Sequence, residues 1–339
     1  MRFISLILSF LLTVVFTLSV QANPTRIGYI VNYGTHEWYQ NVIFGLQSRA
    51  DELGIQLDVM DANLDINKQT QQAEDFMTKG VDVLIMTPVN EEGVVPILRK
   101  AKAEGMPVVL EGSPAKGMTT LFAICDYDAG YKAGDEVGRI LVSRGVKEAR
   151  VMDVGLPMLS ATVLRSLGFM EAIAKHLPSV KVHDLDGSGM IDSSVEVASA
   201  ALAKDSNINV IYGINDGSAL GGLQAWRAAG LPEDKLVVAG TGAEGLAFLN
   251  EMTKPGTPYL VEAAMFPEGV GYTGMNLAVD LFNGVDVPKH KVTPTLALTV
   301  NNYATYYDFD KAAQKRQIRF ADVDGIPVED KCTKYSEDL

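Results

Sequence analysis

The chain has 339 residues, with 42 acidic against 29 basic side chains and a formal net charge of −13 at pH 7. So large an acidic excess argues against nucleic acid or an anionic membrane surface as a partner, because either would repel it. Two cysteines, Cys125 and Cys332, and four scattered histidines, His36, His176, His183 and His290, offer no metal-ligand spacing, so no metal site is expected.

Residues 1–22 read apart from the rest. Arg2, an apolar run over 3–20 and the small-residue ending Val20-Gln21-Ala22 form the pattern of a cleavable secretory signal peptide. A retained membrane anchor is the alternative, since the run is about long enough to span a bilayer. Cleavage would leave an exported, soluble chain, one unit more acidic for the loss of Arg2, with no cysteine near the new terminus to carry lipid. In an oxidising compartment Cys125 and Cys332 either close a long loop as a disulfide or stay a buried and a free thiol. The disulfide would stabilise by about 3–5 kcal/mol.

The mature chain then alternates strands and helices. A strand is expected over 27–31, a polar aromatic turn over 32–39, a helix over 40–53 stopped by Gly54, and a strand over 55–61. Helices over 68–79, 94–104 and 130–143 interleave with strands over 81–87, 107–110 and 120–125. A second series has strands over 149–154, 180–184, 210–212, 236–239, 259–265 and 294–300. Its helices span 161–176, 193–203, 219–229, 244–252 and 269–282, and a short helix over 311–317 is expected in a polar surface tail. Near-continuous apolar strands with helical crossovers make parallel sheets, so the fold class is α/β with two Rossmann-like lobes. Ligands bind such sheets at the carboxyl ends of the strands, where the 32–39 turn lies. That turn has only Gly34 and so no phosphate cradle. Instead it carries Trp38 and Tyr39, flat apolar faces beside polar groups, which suit a small uncharged ligand.

No Gly-x-Ser-x-Gly elbow, phosphate loop, dinucleotide fingerprint or metal motif appears, so neither a catalytic residue nor a cofactor is expected. His36 lies in the first turn without a sequence partner for base catalysis.

These patches together resemble the periplasmic sugar-binding proteins of the ribose-binding type. The resemblance is carried by Trp38-Tyr39, LIMTPVNEEGV (84–94), GMPVVLEG (105–112), CDYDAGYKAG (125–134), SATVLRSLGF (160–169), YGINDGSALGGLQA (212–225) and VVAGTGA (237–243), in that order. It implies two lobes joined by three crossing segments that close on a ligand like a hinge. The expected division is 23–125 plus 266–293 for one lobe, 126–265 plus 294–310 for the other, and 311–339 as a surface tail.

Residue by residue, the resemblance implies that Trp38 and Tyr39 sandwich the ligand and that Asn32 offers an amide. Thr87 stands where the family often has asparagine, and Glu111 where it has an aspartate that accepts from hydroxyls. Asp126 follows the first crossover, Arg165 supplies a guanidinium fork, and Asn215 ends a strand. Asp126 and Glu111 also read as caps of the following segments, Asn215 with Asp216 as a turn pair, and Arg165 as a solvated helix charge. Three departures reduce polar contact: Gly112 replaces an arginine, Gly242 an aspartate, and Met265 a polar amide. They point away from ribose and galactose towards another sugar, a polyol or another neutral polar metabolite. The implied function is the monomeric solute-binding component of an ABC importer, with an inner-membrane permease as partner. The alternative is a periplasmic receptor reporting to a membrane kinase or chemoreceptor.

Overall fold

A computed structural model describes residues 25–328; the expected leader, Cys332 and the end of the tail lie outside the described residues. In chain order the elements are β1 (Arg26–Val31), α1 (Glu37–Leu53), β2 (Gln56–Asp61), α2 (Ile66–Lys79), β3 (Val83–Met86), α3 (Val95–Ala103), β4 (Val108–Glu111) and β5 (Thr120–Ile124). There follow α4 (Asp126–Ser143), β6 (Glu148–Gly155), α5 (Ser160–His176), β7 (Ser179–Asp186), α6 (Ile191–Lys204), β8 (Val210–Gly213), α7 (Asp216–Ala228), β9 (Val237–Gly242), α8 (Ala247–Met252) and β10 (Tyr259–Ala264). The chain ends with α9 (Pro267–Phe282), β11 (His290–Thr293), β12 (Leu296–Leu298), α10 (Tyr303–Tyr306), β13 (Tyr307–Asp310), β14 (Lys315–Ile318) and α11 (Phe320–Asp324).

Two six-stranded sheets result. The first has the order β11-β5-β4-β3-β1-β2, and every pairing in it is parallel. The second has the order β12-β10-β9-β8-β6-β7, parallel except for β12, which runs antiparallel to β10. Central strands such as β3 (VLIM) and β8 (VIYG) are buried along their whole length, as a sheet covered by helices on both faces requires. The edge strand β2 is exposed or half-buried along its whole length. The chain passes between the sheets after β5, after β10 and between β11 and β12.

Helices set the walls of the cleft. At Gly45 on α1 a Cβ would lie 1.8 Å from the Glu268 carbonyl of α9, so only glycine lets these helices pack so closely. The same logic holds in the second lobe, where a Cβ at Gly130 of α4 would lie 1.9 Å from the Arg165 carbonyl of α5.

Several expected boundaries shift. The first helix begins at Glu37, capped by His36 accepting from the Trp38 N–H at 3.2 Å, so Trp38 and Tyr39 lie in its first turn rather than in a loop. The strand expected over 294–300 shortens to β12 in the second sheet, and an unexpected strand just before it, β11, joins the first. The helix expected over 311–317 is instead the turn and second strand of a β13–β14 hairpin. The Asp310 carboxylate accepts from the N–H groups of Ala312 and Ala313 and holds that turn. Nor is the tail simply laid on the surface. Tyr307, Ile318, Val323 and Ile326 are buried in the core of the second lobe, beside Phe248 and Phe266.

Candidate ligand-binding site between the lobes

The first lobe brings its expected residues to neighbouring strand and helix ends. Thr87 follows β3 and Glu111 ends β4, and both are buried. The Thr87 Oγ1 donates to Glu111 Oε2 at 2.9 Å and lies 2.8 Å from the Tyr29 hydroxyl, which can donate in turn. The Trp38 side chain also faces this carboxylate and favours its charged form. Burial pushes Glu111 up to about 7, against the lowering by Thr87 and Trp38, and Asp126 across the crossover adds to the rise. Asn32 Nδ2 donates to the Tyr39 Oη at 3.1 Å, while Asn32 Oδ1 is buried with no partner among the described residues. Burial, and next the Glu111 charge, raises the Tyr39 phenol.

The second lobe answers with Arg165. The close α4–α5 packing puts its Nε 2.7 Å from Asp126 Oδ1, and its Nη1 donates to the Ile214 carbonyl at 2.9 Å. The guanidinium is largely buried, so this is an ion pair within the wall and not a solvated helix charge. Tyr39 and Glu244 both feel the Arg165 charge, which ties the first lobe's aromatic to the second lobe's loop.

That loop, residues 243–245 after β9, is a feature the sequence did not flag as polar. Asp216 Oδ2 accepts from the N–H groups of Glu244 and Gly245 at 3.1 and 3.4 Å, and Glu262 Oε1 accepts from Ala243 N–H at 2.8 Å. Burial holds Glu262 well above the usual carboxylate range, and Asp216 beside it pushes the same way. Burial likewise raises Glu244, with Asp216 adding and Arg165 opposing. The loop touches the other lobe. Asn41 Nδ2 of α1 donates to the Glu244 carbonyl, and Gly245 sits where a Cβ would come within 2.3 Å of Glu37 Oε1. Trp38 packs against the cores of both lobes. The lobes are therefore in contact across the cleft.

Two expected residues are placed differently. Asn215 caps α7, its Oδ1 accepting from Ser218 N–H at 2.8 Å while its Nδ2 donates to the Gly189 carbonyl at 2.9 Å. Its side chain thus serves the wall. Met265 is wholly buried in the second lobe's core with Tyr212, Val261 and Ala263, so it packs instead of joining the polar cluster. Cys125 immediately precedes α4 at the first crossing and is disulfide-bonded. A cavity of about 450 Å³ opens at the carboxyl ends of β6 and β7, lined by Gly155, Leu156, Thr162 and Asp186, with Asp153 pushed up to about 7 by burial. No group of side chains suited to a metal ion occurs among the described residues, and no helix there is long and apolar enough to cross a membrane.

A family profile described as "Periplasmic binding protein domain" matches residues 27–286. The chain belongs to the periplasmic binding protein family. Among relatives of this periplasmic binding protein is a ribose import binding protein of Bacillus subtilis, 27% identical over 266 residues, covering 78% of this chain and 83% of that one. The D-xylose-binding periplasmic protein of Escherichia coli is 26% identical over 298 residues, 86% of each chain. Among solved structures, a solute-binding protein from Actinobacillus succinogenes with bound D-allose superposes with a TM-score of 0.74 at 19% identity, covering 84% of this chain and all of that one. That likeness shows the shared two-lobed fold.

Proposed function

We propose that this protein is the solute-binding component of an ABC importer, exported to the periplasm through residues 1–22, and that it captures a sugar, polyol or related neutral polar metabolite between its lobes. The lobes are residues 23–125 with 266–293 and residues 126–265 with 294–310. The observation that carries the reading is the convergence of Glu111, Tyr39 and Asn32 from one lobe with Arg165 and Asp126 from the other. A ligand bridging both walls stabilises closure by contacts that neither lobe makes alone. Asn32 Oδ1 and the Tyr39 hydroxyl suit hydroxyl groups, Trp38 a carbon face, and Arg165 paired oxygens. Family membership supports transport as the setting, and the sugars named for the relatives support the ligand class. The protein acts by binding as a monomer, without a cofactor or catalytic step, and the inner-membrane permease reads the closed form. Cys125 is joined to Cys332.

Thermal unfolding against pentoses, hexoses, deoxy sugars, polyols, nucleosides and small amides tests this. A ligand at a thousandfold its dissociation constant adds about 4 kcal/mol, a shift of several degrees. A strong hit among sugars or polyols is expected. Silence from those classes, or a hit only among the nucleosides or amides, contradicts the ligand class.

A further inference from the structure

The C-terminal hairpin is not explained by a sugar-binding core, yet its Arg316 reaches the cleft. The side chain, on β14, is only 6% exposed. Nη1 donates to the carbonyls of Ala243 and Gly245 at 2.8 Å each, and Nη2 donates to the carbonyl of Glu244 at 2.8 Å. Nη2 also pairs with Glu268 Oε1 at 2.7 Å, in the first turn of α9 just after the second crossing. The guanidinium lies 4.9 Å from the Tyr307 ring centroid and 5.8 Å from that of Phe248. Tyr307 itself donates to Glu268 Oε2 at 3.4 Å.

Three consecutive carbonyls are thus held by one fork, while the N–H groups of the same three residues are held by Asp216 and Glu262. The loop has reason to need both. Gly242 has φ +124° and Ala243, which is not glycine, has φ +57°, a left-handed conformation that persists only when its surroundings fix it. Glu244, between the two braced residues, offers the carbonyl that Asn41 of the opposite lobe binds. The buried acids Glu268 and Asp216, with Glu37 nearby, also place their charge opposite this guanidinium.

We propose that Arg316 is a positioning residue of the ligand cleft: the C-terminal hairpin holds loop 243–245 against α1 and ties it to the second crossing, so that lobe closure, and with it ligand affinity, depends on the tail. This rests on the solute-binding reading only where affinity is concerned. A planar fork can serve three carbonyls and a carboxylate at once, whereas the single nitrogen of lysine cannot span them.

The test compares wild type, Arg316→Lys and Asn41→Ala. Small-angle scattering without added ligand reads closure, and titration calorimetry with D-ribose, D-allose and myo-inositol reads affinity. Arg316→Lys should enlarge the radius of gyration and weaken binding of any of the three sugars that wild type binds by tenfold or more. Adding Asn41→Ala to it should change little further, since both act through one contact. An unchanged radius and unchanged affinity, with only the melting temperature lowered, overturns the proposal, because a purely structural role predicts that result. Independent, multiplying effects of the two substitutions also overturn it. If wild type binds none of the three while Arg316→Lys still opens the lobes, the positioning role stands and the ligand assignment falls. If Arg316→Lys does not fold, Gln314→Ala loosens the exposed hairpin tip, freeing it from Asn250 and from the Lys311 carbonyl, and should open the lobes less but in the same sense; no change there overturns the proposal.

Discussion

The two walls of the cleft are built differently. In the first lobe, Thr87, Glu111, Tyr29 and Trp38 hold one another by short contacts between neighbouring strand ends and the first turn of α1. In the second, Arg165 depends on α4 lying tightly against α5, and loop 243–245 depends on Asp216, Glu262 and an arginine about seventy residues downstream. The polar cluster of the first wall closes on itself, whereas the loop of the second is braced from afar. Damage to the first should therefore change binding chemistry, whereas damage to the second should change geometry and stability together.

The largest effect expected is on the braced side. If Cys125 is joined to Cys332, Cys332→Ser frees the far end of the tail and should lower stability by about 2–5 kcal/mol, read as a fall in melting temperature. An unchanged melting temperature would remove the tail's covalent anchor. Next, Arg165→Ala should weaken solute binding by about 2 kcal/mol or more, because a charge-assisted pair is lost and Asp126 is left without its cation. It should also lower the melting temperature. Full affinity in that variant would take Arg165 out of the site.

The first wall gives a pH signature. Glu111, raised to about 7 by burial, binds a proton in the folded state that the unfolded chain releases near 4.5. Its raised pKa therefore makes stability fall as pH rises from about 4.5 through 7, by roughly 2–3 kcal/mol, and Asp153 adds a slope of the same sign. Glu111→Gln should flatten the Glu111 part and leave that of Asp153, as denaturant titrations at pH 5 and pH 8 would reveal. An unaltered slope would mean that Glu111 is not the buried acid described. The smallest effect expected is for Tyr39→Phe, which removes the hydroxyl that Asn32 binds and should cost about 1 kcal/mol of solute affinity with stability almost unchanged. A stability loss larger than the affinity loss would blur the contrast between the walls.

The same contrast decides what was legible. Alternating apolar strands and glycine-stopped helices disclose two parallel-sheet lobes, because burial on both faces leaves a continuous apolar imprint in strands such as VLIM and VIYG. First-wall residues were named through the resemblance, and the structure groups Asn32, Tyr39, Thr87 and Glu111 at neighbouring strand and helix ends. Met265 also follows a strand end, yet it packs inward; position along a strand does not say which way a side chain points when both faces are buried. Asn215 read as a turn residue or a contact, and its side chain instead caps α7. The tail was misread for a different reason. The 311–317 stretch, KAAQKRQ, favours helix locally, but packing of Tyr307 and Ile318 into the second lobe's core overrides that preference. Arg316 then carries no local signal, as its partners Ala243, Glu244, Gly245 and Glu268 lie far back along the chain.

Scattering on wild type, titrated with the panel compound that raises the melting temperature most, tests hinged capture directly. Saturation should shrink the radius of gyration as the ligand draws the two walls together. A compound that binds tightly while the radius stays constant would contradict capture by lobe closure.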